Sequence, residues 1–224
     1  MYGIERMRLL FLSVLLLLSS MSYASTVKLN YSVFFDYMKT LYKLDYDYVT
    51  TAFYLIDREQ HKACIINNAQ IQVDDLREPI LFQTNGRLLP FYSDKHRQDG
   101  GVLVIDINDN KTVSSCDLQV TVMAKERELA HLTPAKLSRI SEQLEGVIKK
   151  NAGMIGKYFL PPFMGVRLHL GKPLTEQQYT ALASMTFSQD RQQILLASSS
   201  VEKIQQLNEL NINITRITPW LSTN

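Results

Sequence analysis

The scarce residues of this 224-residue chain exclude more than its abundant ones do. Its four histidines, His61, His96, His131 and His169, each stand alone. A zinc site written into the sequence needs paired ligands, such as His-x-x-x-His or neighbouring Cys and His, and no such pair is present. The two cysteines, Cys64 and Cys116, are too far apart for the Cys-x-x-Cys of a redox centre. No Gly-x-Ser-x-Gly marks a nucleophile elbow. Gly153-Met154-Ile155-Gly156-Lys157 has the wrong spacing for a phosphate loop, and Tyr158 stands where a magnesium-holding Ser or Thr belongs. No cofactor is expected. Charge of one sign is also lacking: 24 Lys and Arg are interleaved with 22 Asp and Glu. Without a basic face, a nucleic-acid partner is not expected either.

Long apolar runs are missing except at the start. Arg6 and Arg8 precede the run Leu9 to Leu18, and Ser22-Tyr23-Ala24 offers small residues for a cleavage site. This is the pattern of a secretory signal peptide over residues 1–24. The run falls short of the roughly 20 residues a membrane-spanning helix needs; an uncleaved anchor is the alternative. The mature chain is expected to be soluble, exported and without a membrane span. Two cysteines in an oxidising compartment most simply form one disulfide, Cys64–Cys116, two free buried thiols being the alternative.

What is present reads first as strands. Phe53 to Met123 holds FYLID, ACIINNAQIQV, PILFQTNGRLLPF, GVLVIDI and CDLQVTVM, separated by polar or Gly-containing turns. Their period-two alternation predicts half-buried antiparallel strands, and Asn85-Gly86 is a strong hairpin signal. Ahead of them, Tyr31, Phe34, Phe35, Met38, Leu41 and Tyr42 recur at helical spacing within Thr26 to Leu44. Behind them, Thr133-Pro134 opens a helix whose apolar face is Leu137, Ile140, Leu144, Val147 and Ile148, ended by Gly153, Gly156 and Pro161-Pro162. The remainder alternates strand and helix: Gly165–Leu170, Gln193–Ala197 and Ile212–Ile217 as strands, Val201–Leu210 as helix, Thr175–Met185 ambiguous.

The expected fold is therefore α+β. A lead-in helix and a small antiparallel β-sandwich with one disulfide occupy 25–130, a connecting helix 131–162, and a small α/β part 163–224.

Three constellations carry candidate chemistry. Asp106, Asn108 and Asn110 place oxygen ligands at alternating positions, and Asp117 stands where a calcium loop has its last carboxylate. Lys111 occupies the glycine position of such a loop, so a polar hairpin turn explains these residues equally. Six tyrosines fall between Tyr31 and Tyr54. Of these, Tyr42, Tyr46 and Tyr48, with His96 in the Ser93–Gly100 loop, form a candidate binding surface; core packing is the alternative use of such a stripe. The acids Asp45/Asp47 and Asp74/Asp75 read as solvated loop charges.

Leu29-Asn30-Tyr31-Ser32 with Phe34/Phe35, Phe53-Tyr54 followed by Cys64, Asn85-Gly86-Arg87-Leu88, Cys116-Asp117-Leu118 and Pro219-Trp220-Leu221 occur together. The set resembles an exported gamma-proteobacterial family catalogued as a domain of unknown function. The resemblance implies a periplasmic setting and a Cys–Cys pair as a family feature, and it brings no catalytic residues. The resulting expectation is a non-enzymatic periplasmic binding or interaction module with an envelope protein or polymer as partner. The alternative is an envelope-polymer hydrolase whose site is assembled from separate loops.

Overall fold

The computed structural model describes residues 24–108, 115–156 and 158–222. The expected leader lies outside the described residues except for Ala24. The strands pair antiparallel in three four-stranded sheets. The first orders β1 (Ala24–Asn30), β7 (Val102–Asn108), β3 (Ile66–Val73) and β4 (Leu76–Pro79). The second orders β5 (Leu81–Phe82), β6 (Arg87–Leu89), β2 (Val49–Asp57) and β8 (Cys116–Ala124). The third orders β10 (Thr186–Phe187), β11 (Gln193–Ala197), β9 (Phe163–Leu170) and β12 (Ile214–Leu221). Helices α1 (Tyr31–Leu44), α2 (Asp94–Gln98), α3 (Pro134–Gly156), α4 (Glu176–Ala181) and α5 (Ile204–Glu209) connect them.

The first two sheets form the sandwich. Ala69, Ile71, Leu103, Ile105 and Ile107 of one face Phe53, Leu55 and Leu88 of the other in one buried cluster. Helix α1 closes it with Tyr31, Phe34 and Phe35, all fully buried; a buried side chain of this size contributes about 2 kcal/mol. A bulge between Ile66 and Asn68 lets both Ile66 and Ala69 reach that core. The chain enters α1 through Asn30, whose side chain accepts from the Ser32 N–H. The stretch Thr26 to Leu44 carries the helical stripe, and the helix itself begins at Tyr31. Before it, Val27 and Leu29 pair opposite Ile105 and Leu103, and strand pairing with β7 overrides the helical stripe that follows.

A second core lies between α3 and the third sheet. Leu137, Ile140, Leu144 and Val147 are fully buried against Val166, Leu168, Ile194 and Ile217. Val49 of β2 and Val122 and Ala124 of β8 belong to this core too, so the C-terminal part shares its interior with the sandwich. Gly165, third in β9, has a φ of 150°, and a Cβ there would run into the Leu196 carbonyl; β9 meets β11 this closely only because the position is glycine.

Cys64 and Cys116 are joined, with Cα atoms 6.3 Å apart. Cys116 pairs with Asp57 at the end of β2, and the Cys64 N–H donates to the Leu55 carbonyl on the strand's other side. The bond thus ties the route into the first sheet to the second sheet. It spans 52 residues, and in the loop-entropy model such a closure stabilises by about 4 kcal/mol. The doubly substituted chain Cys64→Ser/Cys116→Ser should lose stability of up to that order in urea denaturation while keeping its far-UV circular dichroism.

Candidate functional site

An open groove of about 730 Å3 lies between the C-terminal half of α1, the start of β2 and the segment running out of β6. Asp45 creates one end of it. This residue caps α1 in the left-handed conformation, φ 50° and ψ 46°, which turns the chain back so that Asp45, Tyr46 and Asp47 line the rim. Tyr46 rests on α3 at Gly146, where a methyl group would collide with its hydroxyl. The Lys125 ammonium donates to the Tyr46 carbonyl at 3.1 Å and fixes the same turn.

The opposite rim is aromatic. Tyr92 stacks on Phe35 with ring centroids 4.8 Å apart, and Tyr42 stacks on Tyr92 at 5.5 Å and 11°. Tyr42 is 76% exposed. Tyr31 holds this rim in place: its hydroxyl donates to the Phe91 carbonyl at 2.7 Å and accepts from the Ser93 N–H at 2.8 Å. Burial pushes that hydroxyl above its ordinary pKa, which keeps it protonated as a donor.

The groove also reaches two buried polar groups that are incompletely partnered. Arg87 is 8% exposed; one Nη donates to Glu126 at 2.5 Å while its Nε finds no acceptor. The Thr51 Oγ1 is likewise without a partner. Unsatisfied polar atoms of this kind are uncommon in folded interiors. Chemically, the groove combines a face for stacking with donors and acceptors for hydroxyl groups.

Of the residues expected from sequence as a binding surface, Tyr42 and Tyr46 line this groove. Tyr48 is half-buried against the second core, with its N–H donating to Gln143. His96 sits on α2, paired with Glu78 at 2.9 Å and packed edge-on against Tyr31 and Phe91. The two acids among the calcium candidates have protein partners. The Asp106 carboxylate accepts from Thr26 and Asn68 on the first sheet, whereas Asp117 pairs with Arg58 on the second. Asn108 ends β7, and Asn110 lies outside the described residues. Among the described residues no three of His, Cys, Asp and Glu cluster as a metal site. Thr51, Tyr92 and Lys125 are not among the candidate site residues of the sequence reading, and Arg87 enters it only within the Asn85-Gly86-Arg87-Leu88 motif, not as a site residue. Arg87 carried the one available signal, a cation directly at the exit of the Asn85-Gly86 turn.

His169 is the histidine set inside a strand. Its Nε2 lies 2.9 Å from the Thr218 hydroxyl and its Nδ1 3.2 Å from Arg216. Burial, then Arg216, then Arg167 lower its pKa from 6.5 to about 4.

The fold and groove define a disulfide-stapled α+β protein with an open, aromatic-walled depression. The chain belongs to the family described as "Protein of unknown function (DUF2987)", which it matches over residues 23–170. The match includes both cysteines and the whole groove, and ends with β9, so Pro219-Trp220-Leu221 falls outside it. No curated protein and no solved structure matches the chain.

The lowered pKa of His169 makes a signed prediction. The unfolded chain takes up the proton first, so the stability contributed by neutral His169 is complete above pH 6.5 and is lost as pH falls toward about 4. Melting temperatures of the wild type and His169→Gln, measured from about pH 7 to about pH 4.5, should shift relative to each other in the variant's favour as the pH falls.

Proposed function

We propose that the protein is an exported periplasmic binding module that holds a polyhydroxylated, sugar-like segment of an envelope polymer in the α1–β6 groove without cleaving it. One observation carries this reading: the exposed Tyr42 ring stacked on Tyr92 forms a flat wall beside buried, incompletely partnered Arg87 and Thr51. Sugar rings offer an apolar face for stacking and hydroxyls for the donors and acceptors around it. Export draws support from the leader pattern and from the disulfide, which persists in oxidising compartments. Among the described residues no helix is long and apolar enough to cross a membrane. The hydrolase alternative has its own foothold, because Asp45 and Asp47 line the same groove.

Export is checked by expressing the full chain with a C-terminal tag. The tagged protein should be recovered in the osmotic-shock fraction, shortened at its N-terminus after Ala24. Recovery of the full-length chain from the cytoplasm would overturn that part of the reading. Binding is checked by calorimetry with soluble muropeptides and lipopolysaccharide core oligosaccharides. At least one should bind, and Tyr42→Ala should weaken it by about two- to tenfold, the scale of one lost aromatic contact. Absence of heat with every saccharide, or equal affinity in the variant, would sink the proposal. Release of cleaved sugar in the same incubation would transfer the groove to the hydrolase reading.

A further inference from the structure

A second cleft, of about 820 Å3, lies where the edge strand of the second sheet meets the edge strand of the third. Strands β8 and β12 run side by side there without a hydrogen-bonded ladder between them. Register decides what this seam presents. On β9, Val166 and Leu168 turn into the second core, leaving Arg167 and His169 on the other face. On β12, Ile217 turns inward, leaving Arg216 and Thr218 beside them. Arg167, His169, Arg216 and Thr218 all line the cleft.

The electrostatics of this place are unbalanced. The cleft lining contains two arginines and no Asp or Glu. Among the described residues, neither arginine has a carboxylate partner. The Arg167 Nε is buried without an acceptor. Arg216 contacts the His169 ring nitrogen and lies 5.7 Å from the centre of the Tyr54 ring. The acid that acts on His169, Asp190, is occupied by the Ser188 hydroxyl and the Gln192 N–H. Neutral His169 therefore adds no third positive charge near neutral pH. A buried guanidinium N–H without an acceptor is costly to the fold, and two unpaired guanidinium groups that share a cleft repel each other. An oxyanion would relieve both, because guanidinium donors match phosphate and carboxylate geometry.

The same cleft also has apolar lining residues, among them Ile148, Leu160, Pro219 and Leu221. Directly before Leu160 in the chain stand Tyr158 and Phe159, 78% and 82% exposed.

We infer that the β8–β12 cleft is a binding site for an amphiphilic phosphate, its phosphoryl oxygens held by Arg167 and Arg216 and its hydrocarbon part laid along Ile148, Leu160 and Leu221. This site is separate from the tyrosine groove. A soluble organic phosphate and the headgroup of an anionic lipid present the same chemistry to it.

The test uses the full mature chain. Calorimetry with hexyl phosphate should give saturable binding, at least tenfold tighter than inorganic phosphate, while hexanol gives none. Arg216→Gln, shown to be folded by its far-UV circular dichroism, should weaken hexyl phosphate binding at least tenfold. Co-sedimentation with vesicles separates the two sources. Retention by phosphatidylcholine vesicles containing phosphatidylglycerol, but not by phosphatidylcholine alone, assigns the phosphate to a lipid. Hexyl phosphate binding without retention on either vesicle assigns it to a soluble ligand. The inference is overturned if neither hexyl phosphate nor the anionic vesicles bind. It is equally overturned if Arg216→Gln and Arg167→Lys both bind as the wild type does. These readouts do not involve the saccharide groove, so either site can fail without the other.

Discussion

The structure depends on one strand being buried on both faces. Phe53 and Leu55 of β2 point into the sandwich core, and Val49 reaches the core under α3. Ala52 and Tyr54 on the other side make a third cluster with Met123. A sandwich strand ordinarily alternates between core and solvent. Here nearly every position from Val49 to Leu55 is out of water, so β2 is where the N-terminal and C-terminal parts become one interior. The disulfide closes at the far end of the same strand, beside Asp57. The tyrosine groove opens over its near end, where Val49 to Thr51 supply a wall. Both depressions border this element or its partner β8, because the layers that cover β2 do not cover its surroundings completely.

The elements legible in the sequence were those whose own pattern agreed with their burial. Strand β11, with the pattern Gln193-Ile194-Leu195-Leu196-Ala197, and the apolar stripe of α3 both needed only one partner face. The unread elements lacked an internal pattern. Strand β4, Leu76–Pro79, is exposed throughout and exists because β3 offers a free edge beside the Asp74-Asp75 turn. Strand β1 was hidden by the helical stripe that follows it, and its identity is fixed by β7 far along the chain.

The same distinction separates the site residues. Tyr46 and Tyr48 are alike in sequence and both pack against the second core, yet after the left-handed turn at Asp45 only Tyr46 also lines the groove. No composition argument distinguishes them. The Arg167–His169–Arg216 group was still less visible, since its members come from two strands whose register sets them on one face. Alternation of basic residues with Val166, Leu168 and Ile217 was present in each strand alone. Their convergence is a property of pairing.

The pairing of β1 with β7 also bears on the order in which the chain can fold. The Thr26 hydroxyl meets the Asp106 carboxylate eighty residues on. A chain made from its N-terminus therefore presents its first strand long before the partner exists, and contacts of such sequence separation form slowly. Until β7 arrives, Val27 and Leu29 form an unpaired apolar edge, the kind that recruits other chains. The Cys64–Cys116 loop encloses β3 to β7 and leaves β1 outside it. The first strand to emerge therefore waits for a partner that the chain supplies only from Val102 onward.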